Sequence, residues 1–461
     1  MSIHEECGIF GIFDNGDSLD VSKLTYYALC TLQHRGQESC GITVNKKNND
    51  GTIVVVQHKN LGLVQEVFNK NILENLKHGY IAVGHVRYST TGSSKQINSQ
   101  PLVSKYKKGT FSMAHNGNLT NSEKMRKILE NDGAIFQTES DSEVISQLIA
   151  RERIKSGSTP KAILNVMNII KGAYSLIVST PNSVIAVRDP KGFRPLCIGK
   201  IKNSYVFASE TCAFDSIDAK YLRDVEPGEI VIASYNGLES IKDMCGQKSS
   251  FCIFEYIYFS RPDSLINGNS VHKVRMNIGR ILAKENSIDA DIVIGVPDSG
   301  IDAAIGYSLE SKIPYNIGFV KSKYVGRTFI RPTQNERKLS IKIKLNVIKS
   351  EVEGKRVIMV DDSIVRGTTC KRIVKLLRDA NAKAVHIKIS SPPFLNPCYF
   401  GTDIPSRKNL IAYNMTESEV CEFLGADSLS YISIEGLQKI ISNSKENSFC
   451  NACFTGKYPV Y

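Results

Sequence analysis

Val357-Ile358-Met359-Val360-Asp361-Asp362-Ser363-Ile364-Val365-Arg366-Gly367-Thr368-Thr369 reads as an apolar strand ending in two carboxylates, a short Gly/Thr loop, and a helix starting near Thr369. Backbone N–H groups at a helix N-terminus, favoured by the helix dipole, make such a loop an anion site. Thr368 and Thr369 add hydroxyl donors, whereas the adjacent acids repel phosphate. They suit ribose hydroxyls or the shell of a Mg²⁺ that itself carries pyrophosphate. No Gly-x-x-x-x-Gly-Lys-Ser/Thr occurs, so a Walker A loop is excluded.

The same texture extends outward. Apolar runs alternate with helical segments at 292–296, 301–309, 357–360, 369–381 and 384–389, which predicts a parallel sheet flanked by helices. A second loop, Gly295-Val296-Pro297-Asp298-Ser299-Gly300, again follows an apolar strand and precedes a helix. Residues 7 to about 240 differ: short β-rich runs (52–57, 80–83, 175–179, 183–187) surround helices expected at 122–130 and 141–156, an α+β pattern. A chain of 461 residues exceeds what one core usually serves, so two domains are expected. No stretch reaches the roughly 18 apolar residues of a membrane span, and the acidic N-terminus lacks a secretory signal. A cytoplasmic protein without a membrane partner is the expectation.

Lys+Arg 58 against Asp+Glu 46 gives +12. The basic residues are scattered, with no aromatic-interleaved stripe, so no nucleic-acid partner is expected and small polyanionic substrates remain attractive. Twelve cysteines in a chain with no export signal point away from disulfides, leaving buried thiols, a catalytic thiol and a metal site to share them. Cys7 opens a small-residue strand, Cys7-Gly8-Ile9-Phe10-Gly11-Ile12. Were residues 1–6 removed, its α-amine, with an ordinary pKa near ~8, would supply a base on the nucleophile's own residue.

Gln33-His34-Arg35-Gly36-Gln37-Glu38-Ser39, Gly84-His85-Val86-Arg87-Tyr88-Ser89-Thr90-Thr91-Gly92, Ala114-His115-Asn116-Gly117-Asn118-Leu119 and Ser140-Asp141-Ser142-Glu143 follow in order. Together with Cys7 they closely resemble the class II glutamine amidotransferases, implying a four-layered α/β/β/α N-terminal-nucleophile sandwich. Arg87 can fork the α-carboxylate of glutamine and Asp141 can pair its α-ammonium. The resemblance makes the Asn116 side chain and the Gly117 N–H, expected on a turn, the oxyanion hole. His85 and His115 read as structural hydrogen-bonding residues.

The 357–369 stretch resembles the phosphoribosylpyrophosphate signature of type I phosphoribosyltransferases. That assigns Ser363, Val365, Arg366, Gly367, Thr368 and Thr369 to the substrate, and Ser299, Asp361 and Asp362 to one Mg²⁺ per subunit. The basic segment 321–332 looks like the family's mobile lid, with Lys321 and Arg327 on the substrate. A glutaminase joined to a phosphoribosyltransferase resembles the glutamine phosphoribosylpyrophosphate amidotransferase family. Its reaction releases ammonia from glutamine and makes 5-phosphoribosylamine and pyrophosphate from phosphoribosylpyrophosphate, the first committed step of de novo purine synthesis. The implied domains are a propeptide (1–6), an amidotransferase domain (7–240) and a phosphoribosyltransferase domain with a C-terminal tail (241–461). A phosphoribosyltransferase-fold regulator that binds RNA, or an enzyme adding a nucleobase without ammonia, would leave Cys7 or the first 240 residues without a use.

By spacing, one Cys-x-x-Cys (Cys450, Cys453) and two distant cysteines, Cys252 and Cys398, fit Zn²⁺, an iron-sulfur centre or free thiols equally. Resemblance to the cluster-bearing branch assigns these four to one [4Fe-4S] centre per subunit. It also implies a homotetramer and purine-nucleotide feedback inhibitors. Some members of the family begin at Met-Cys, whereas Met1 to Glu6 precede Cys7 here. The mature enzyme is therefore predicted to start at Cys7: intact mass and N-terminal sequencing of a glutamine-active preparation should lack residues 1–6, and full retention of them would contradict the mechanism.

Overall fold

The computed structural model describes residues 7–88, 95–322, 345–402, 404, 406–441 and 449–460. The N-terminal half contains two antiparallel sheets. The first runs, in spatial order, Lys220–Asp224, Cys197–Ile201, Ser204–Ala208, Gly8–Phe13, Gly79–Arg87, Ser39–Lys47 and Ile53–Leu61. The second runs Gly237–Ile241, Ile230–Ser234, Ser183–Arg188, Gly172–Thr180, Gly109–Leu119 and Leu102–Tyr106. Strand side chains alternate between faces, and here both faces are apolar because both are covered. In Gly8–Phe13, Ile9 and Phe13 face the second sheet, meeting Ala114, Ile177, Val184 and Ala186, while Phe10 and Ile12 face the helix Val21–Thr31. Across the second sheet, Leu176 and Val178 pack against Val144, Ile145 and Ile149 of the helix Asp141–Lys155. Helix, sheet, sheet and helix form the expected four layers.

That helix begins where the sequence places it. Ser140 caps it by accepting the N–H of Ser142, Asp141 and Glu143 lie in its first turn, and Arg153 and Lys155 lie in its last. Each charge complements the helix dipole.

The second half holds a parallel four-stranded sheet in the order Ile292–Gly295, Arg356–Asp361, Ala384–Ile389, Ser428–Tyr431. Helices Val271–Glu285 and Gly300–Ser311 cover one face, and Thr368–Asp379 with Glu417–Leu424 the other. Between the halves, Glu255–Phe259 forms a single π-helical turn. Just before it, Phe251–Cys252 pairs in parallel with Phe449–Cys450 near the C-terminus.

Two details differ from the sequence reading. Asn116 and Gly117 lie inside a long strand, opposite Ser175 and Tyr174, and not on a turn. Asn-Gly is a turn signal only when flanking pairing allows reversal, and here the ladder continues through it. The last helix of the cradle starts at Thr368, one residue early, because Gly367 at φ +75° takes the cap position.

His85 joins the sheets by donating Nε2–H to the His115 carbonyl (3.0 Å), and its Nδ1 has no partner among the described residues. Burial pushes the His85 pKa down to about 3. Because the unfolded imidazole titrates near ~6.5, the unfolded state gains protons first as pH falls. The stabilising contribution is therefore complete above pH ~6.5 and lost on acidification, by roughly 2 kcal/mol at pH 5. Urea unfolding of the intact chain and of His85→Gln at pH 7 and pH 5 should show a smaller acid loss in the variant; equal losses would contradict a neutral buried His85.

Candidate active sites and the junction between them

Cys7 precedes the strand Gly8–Phe13, whose Gly8 lies opposite Val86, so the thiol comes beside Arg87 and Tyr88 on the neighbouring strand. It is buried and donates to the Tyr88 carbonyl at 3.4 Å. Arg87 is buried and held by Glu38 (Nη1 to Oε1, 2.9 Å). The His85–His115 bond brings the Arg87 strand against the strand carrying Asn116. Asn116 is fully buried, yet neither atom of its side-chain amide finds a partner among the described residues. A buried polar group left unmatched is costly unless a ligand satisfies it. Gly117, at φ +147°, leaves no room for a side chain: a Cβ would come within 2.1 Å of the Ala173 carbonyl oxygen.

Asp141 accepts the N–H of Leu119 through Oδ2 at 2.9 Å, tying its helix to the end of the Asn116 strand. His115, held neutral by burial, bonds Ser142 Oγ through Nδ1 (3.0 Å), and its N–H donates to Gln100 Oε1 (2.8 Å). Both histidines thus fasten the framework, as expected. Ser89 to Gly92 lie outside the described residues.

At the cradle, Asp361 ends the inner parallel strand Arg356–Asp361 and Asp362 follows it, both nearly inaccessible. Ser299 donates to Asp362 Oδ1 at 2.6 Å, and Ser363 donates to Oδ2, so the two loops read from sequence do converge. Burial and the charge of Asp362 push the Asp361 carboxyl up. Burial also raises Asp362, against the lowering effect of the two serine hydroxyls. Two adjacent buried acids of this kind suit a cation, which reverses both effects. Residues 363–367 loop from them to the helix N-terminus at Thr368, with Val365 anchored by Ile411 N–H on its carbonyl (2.8 Å). Lys321 ends the strand Phe319–Lys321 and pairs with Asp298 of the neighbouring loop at 2.5 Å. Arg327, with most of the expected lid, lies outside the described residues.

Cys252, Cys398, Cys450 and Cys453 line one cavity with Phe193, Phe394, Phe400 and Tyr458. Burial drives the thiol pKa values of Cys252 and Cys453 upward and that of Cys450 to about 12. The tail docks more firmly than its short apolar content suggests. Phe454 is buried against Phe394, Tyr458 donates to the Pro397 carbonyl (2.7 Å), and the Cys453 carbonyl accepts the N–H groups of Leu395 and Asn396.

Sequence reasoning missed the group that joins these sites. Arg35 Nε donates to the Cys7 carbonyl (3.0 Å), Nη1 to Glu210 (2.6 Å) and to Glu255 (2.9 Å), and Nη2 to Glu255 (2.8 Å). Arg194 reaches Glu255 (3.3 Å) and the Phe400 carbonyl (2.6 Å). The side chains of Arg35, Arg194, Glu210 and Glu255 are all fully buried. Burial alone would lower the Arg35 pKa, but Glu255 and Glu210 hold it above its ordinary value. Arg35 sits within a quoted motif, but its partners are 175 and 220 residues away, beyond what one sequence reveals.

Residues 85–216 match the glutamine amidotransferase domain and residues 265–390 the phosphoribosyl transferase domain. Amidophosphoribosyltransferase of Methanocaldococcus jannaschii is 48% identical, covering 98% of this chain and 97% of that one. The Bacillus subtilis amidophosphoribosyltransferase is 48% identical, covering 99% and 94%. The chain belongs to the amidophosphoribosyltransferase family. The solved structure of the B. subtilis glutamine phosphoribosylpyrophosphate amidotransferase, complexed with ADP and GMP, superposes with a TM-score of 0.90 at 47% identity, covering 99% of this chain and 98% of that one. Like the other amidophosphoribosyltransferases, this chain is a glutamine-dependent transferase of purine biosynthesis. It hydrolyses glutamine to glutamate and ammonia and uses the ammonia to turn phosphoribosylpyrophosphate into 5-phosphoribosylamine and pyrophosphate.

Gly117→Ala, which drives a Cβ into the Ala173 carbonyl, is expected to cut glutamine-dependent synthesis by about tenfold or more while ammonia-dependent synthesis stays within about twofold. Parallel assays with glutamine and with ammonium salt check this, and equal losses would show a general folding defect.

Proposed function

We propose that Cys7 is the glutaminase nucleophile, its own α-amine serving as base after removal of residues 1–6. The amine takes the thiol proton, the thiolate attacks the side-chain amide carbon, Asn116 Nδ2 and Gly117 N–H stabilise the oxyanion, and the amine passes that proton to the amide nitrogen, which leaves as NH₃ when the C–N bond breaks. Water then hydrolyses the thioester to glutamate. Arg87 binds the α-carboxylate of glutamine and Asp141 its α-ammonium. The observation that carries this reading is the buried amide of Asn116, which finds no partner among the described residues and whose Nδ2 donor a developing negative charge would satisfy.

At the second site, Ser363, Val365, Arg366, Gly367, Thr368 and Thr369 hold the 5-phosphate end of the substrate, with Lys321 and Arg327 closing over it. Asp361, Asp362 and Ser299 face one Mg²⁺ per subunit, which when bound offsets the charge of the leaving pyrophosphate. The two buried acids fit a divalent cation because burial opposes the ionisation of both and the charge of Asp362 opposes that of Asp361 without one. Ammonia attacks C1 of the ribose as pyrophosphate leaves. Protonation in water would remove its nucleophilicity, so a water-excluding route between the sites is part of the proposal.

Cys252, Cys398, Cys450 and Cys453 hold one [4Fe-4S] centre per subunit. The four thiols line one cavity, and those of Cys252, Cys450 and Cys453, which burial holds against ionisation, fit a cationic centre that would stabilise the thiolates. Among the described residues no three His, Cys, Asp or Glu side chains converge on a single-ion site. The centre ties the tail to the junction. We place the domain limits at 1–6, 7–240 and 241–461, and infer a homotetramer in the cytoplasm. Among the described residues no helix is long and apolar enough to cross a membrane. Purine nucleotides are the proposed inhibitors, a reading supported by the ADP and GMP of the B. subtilis complex.

Two outcomes test these roles. Cys7→Ala should abolish glutamine-dependent synthesis and spare the ammonia-dependent reaction, whereas Asp361→Asn with Asp362→Asn should spare glutamine hydrolysis and lower phosphoribosyl transfer roughly tenfold to a hundredfold. Equal loss of both reactions in Cys7→Ala, or unchanged transfer in the double variant, would overturn the assignments. Anaerobically purified enzyme should be brown with about four irons per chain, and Cys453→Ser should lose both the iron and the protection of its tail from proteolysis. Colourless protein holding one zinc would replace the cluster by a Zn²⁺ site.

A further inference from the structure

Arg194 stands directly behind the cysteine-lined cavity. Its stretch of backbone is fixed from three sides: Asp189 accepts the N–H of Phe193 (3.1 Å), Arg188 Nε donates to the Arg194 carbonyl (2.9 Å), and the Cys252 N–H donates to the Phe193 carbonyl (3.1 Å). The buried guanidinium reaches two partners, Nη1 donating to Glu255 and Nη2 to the Phe400 carbonyl. Phe400 in turn gives its own N–H to Cys398 Sγ at 3.4 Å. Phe193 and Phe400 stack on each other and line the cavity, and none of the residues lining it is Lys, Arg, Asp or Glu. The charge of Arg194 nonetheless reaches Cys252 and Cys450, favouring their thiolates, and the charge of Glu255 reaches Cys252 with the opposite sign.

A four-iron centre held by four thiolates is an anion, because the thiolates outweigh the positive charge of the iron-sulfide core. An anion walled by aromatic rings is costly unless a cation offsets it. Nearby charge and N–H bonds to the sulfurs also set how readily such a centre gives up an electron. We propose that Arg194 is the counter-ion and positioning residue of this centre: its charge offsets that of the thiolates, and its grip on the Phe400 carbonyl holds the Phe400 N–H on Cys398 Sγ. Both effects stabilise electron-rich sulfur and so protect the centre from oxidation. In that oxidation one electron leaves the centre for dioxygen, which becomes superoxide, and the electron-poorer core sheds iron. Glu255 opposes Arg194 from its other side, so the balance of the two charges sets the rate.

The inference rests on the four cysteines holding an iron-sulfur centre. Native chain purified without oxygen and found to carry no iron would sink that reading and this one with it, whereas variants compared at equal iron content test Arg194 alone. The readout is the loss of visible absorbance in air. Arg194→Gln should bleach about threefold or more faster than the native chain, and Arg194→Lys, which keeps the charge, should stay within about twofold of it. Glu255→Gln, which removes the opposing charge, should bleach about twofold or more slower. A loosened fold admits dioxygen faster in all three and does not give opposite signs. A native rate in Arg194→Gln, or equal acceleration in Arg194→Gln and Arg194→Lys, overturns the proposal while leaving the centre in place. If Arg194→Gln takes up no iron, Glu255→Gln decides: slower bleaching supports the counter-ion role, and a native or faster rate refutes it.

Discussion

The Arg35–Glu255 pair is the contact on which the two-domain arrangement depends. Both groups are fully buried, one contributed by the amidotransferase sandwich and the other by the turn that leads into the phosphoribosyltransferase half. Taking such charges out of water is expensive, and the cost is offset only when every donor and acceptor is matched. Here the matching is dense: Arg35 uses its nitrogens on Cys7, Glu210 and Glu255, and Glu210 also accepts from His34, Ser264 and the Arg261 N–H. Removing one member would strand its partner without solvent, at roughly 3–5 kcal/mol. The domains therefore dock in one register, and that register leads from the Cys7 backbone to the cysteine-lined cavity through Arg194 and the Phe400 carbonyl.

The two active sites use opposite electrostatics. The proposed glutaminase site sets a buried guanidinium, Arg87, for the substrate carboxylate and a buried amide, Asn116, with no partner among the described residues, for the oxyanion, whereas the proposed cradle sets two crowded buried carboxylates whose ionisation a cation would favour. Between them lies ammonia, a neutral nucleophile that water would protonate. A junction sealed by matched buried charges and by stacked rings, such as Phe193 on Phe400 with centroids 4.4 Å apart, fits the handling of such an intermediate.

Much of this was legible in the sequence because it is local. The strand–acid–acid–loop–helix order at 357–369 is a contiguous unit, and the parallel sheet follows from apolar runs spaced by helices. Asn116 and Gly117 were identified by the motif but misplaced on a turn, since the neighbouring strand that keeps them extended, Gly172–Thr180, lies some 60 residues on. The ionic junction was invisible for the same reason: Arg35, Arg194, Glu210 and Glu255 belong to four separate segments and carry no periodicity. Four cysteines could be grouped only by resemblance, and it took the pairing of Cys252 with Cys450 across the junction to bring two of them side by side.

The central claim is that this junction makes the two sites one enzyme, passing nitrogen from Cys7 to the ribose without release. The direct measurement supplies amide-¹⁵N glutamine and phosphoribosylpyrophosphate together with a large excess of unlabelled ammonium, traps the phosphoribosylamine and reads its isotope by mass spectrometry. At a pH where free ammonium competes poorly, the account predicts product nitrogen that is almost wholly ¹⁵N, one per glutamate formed. Product diluted to the isotope ratio of the solution would contradict it.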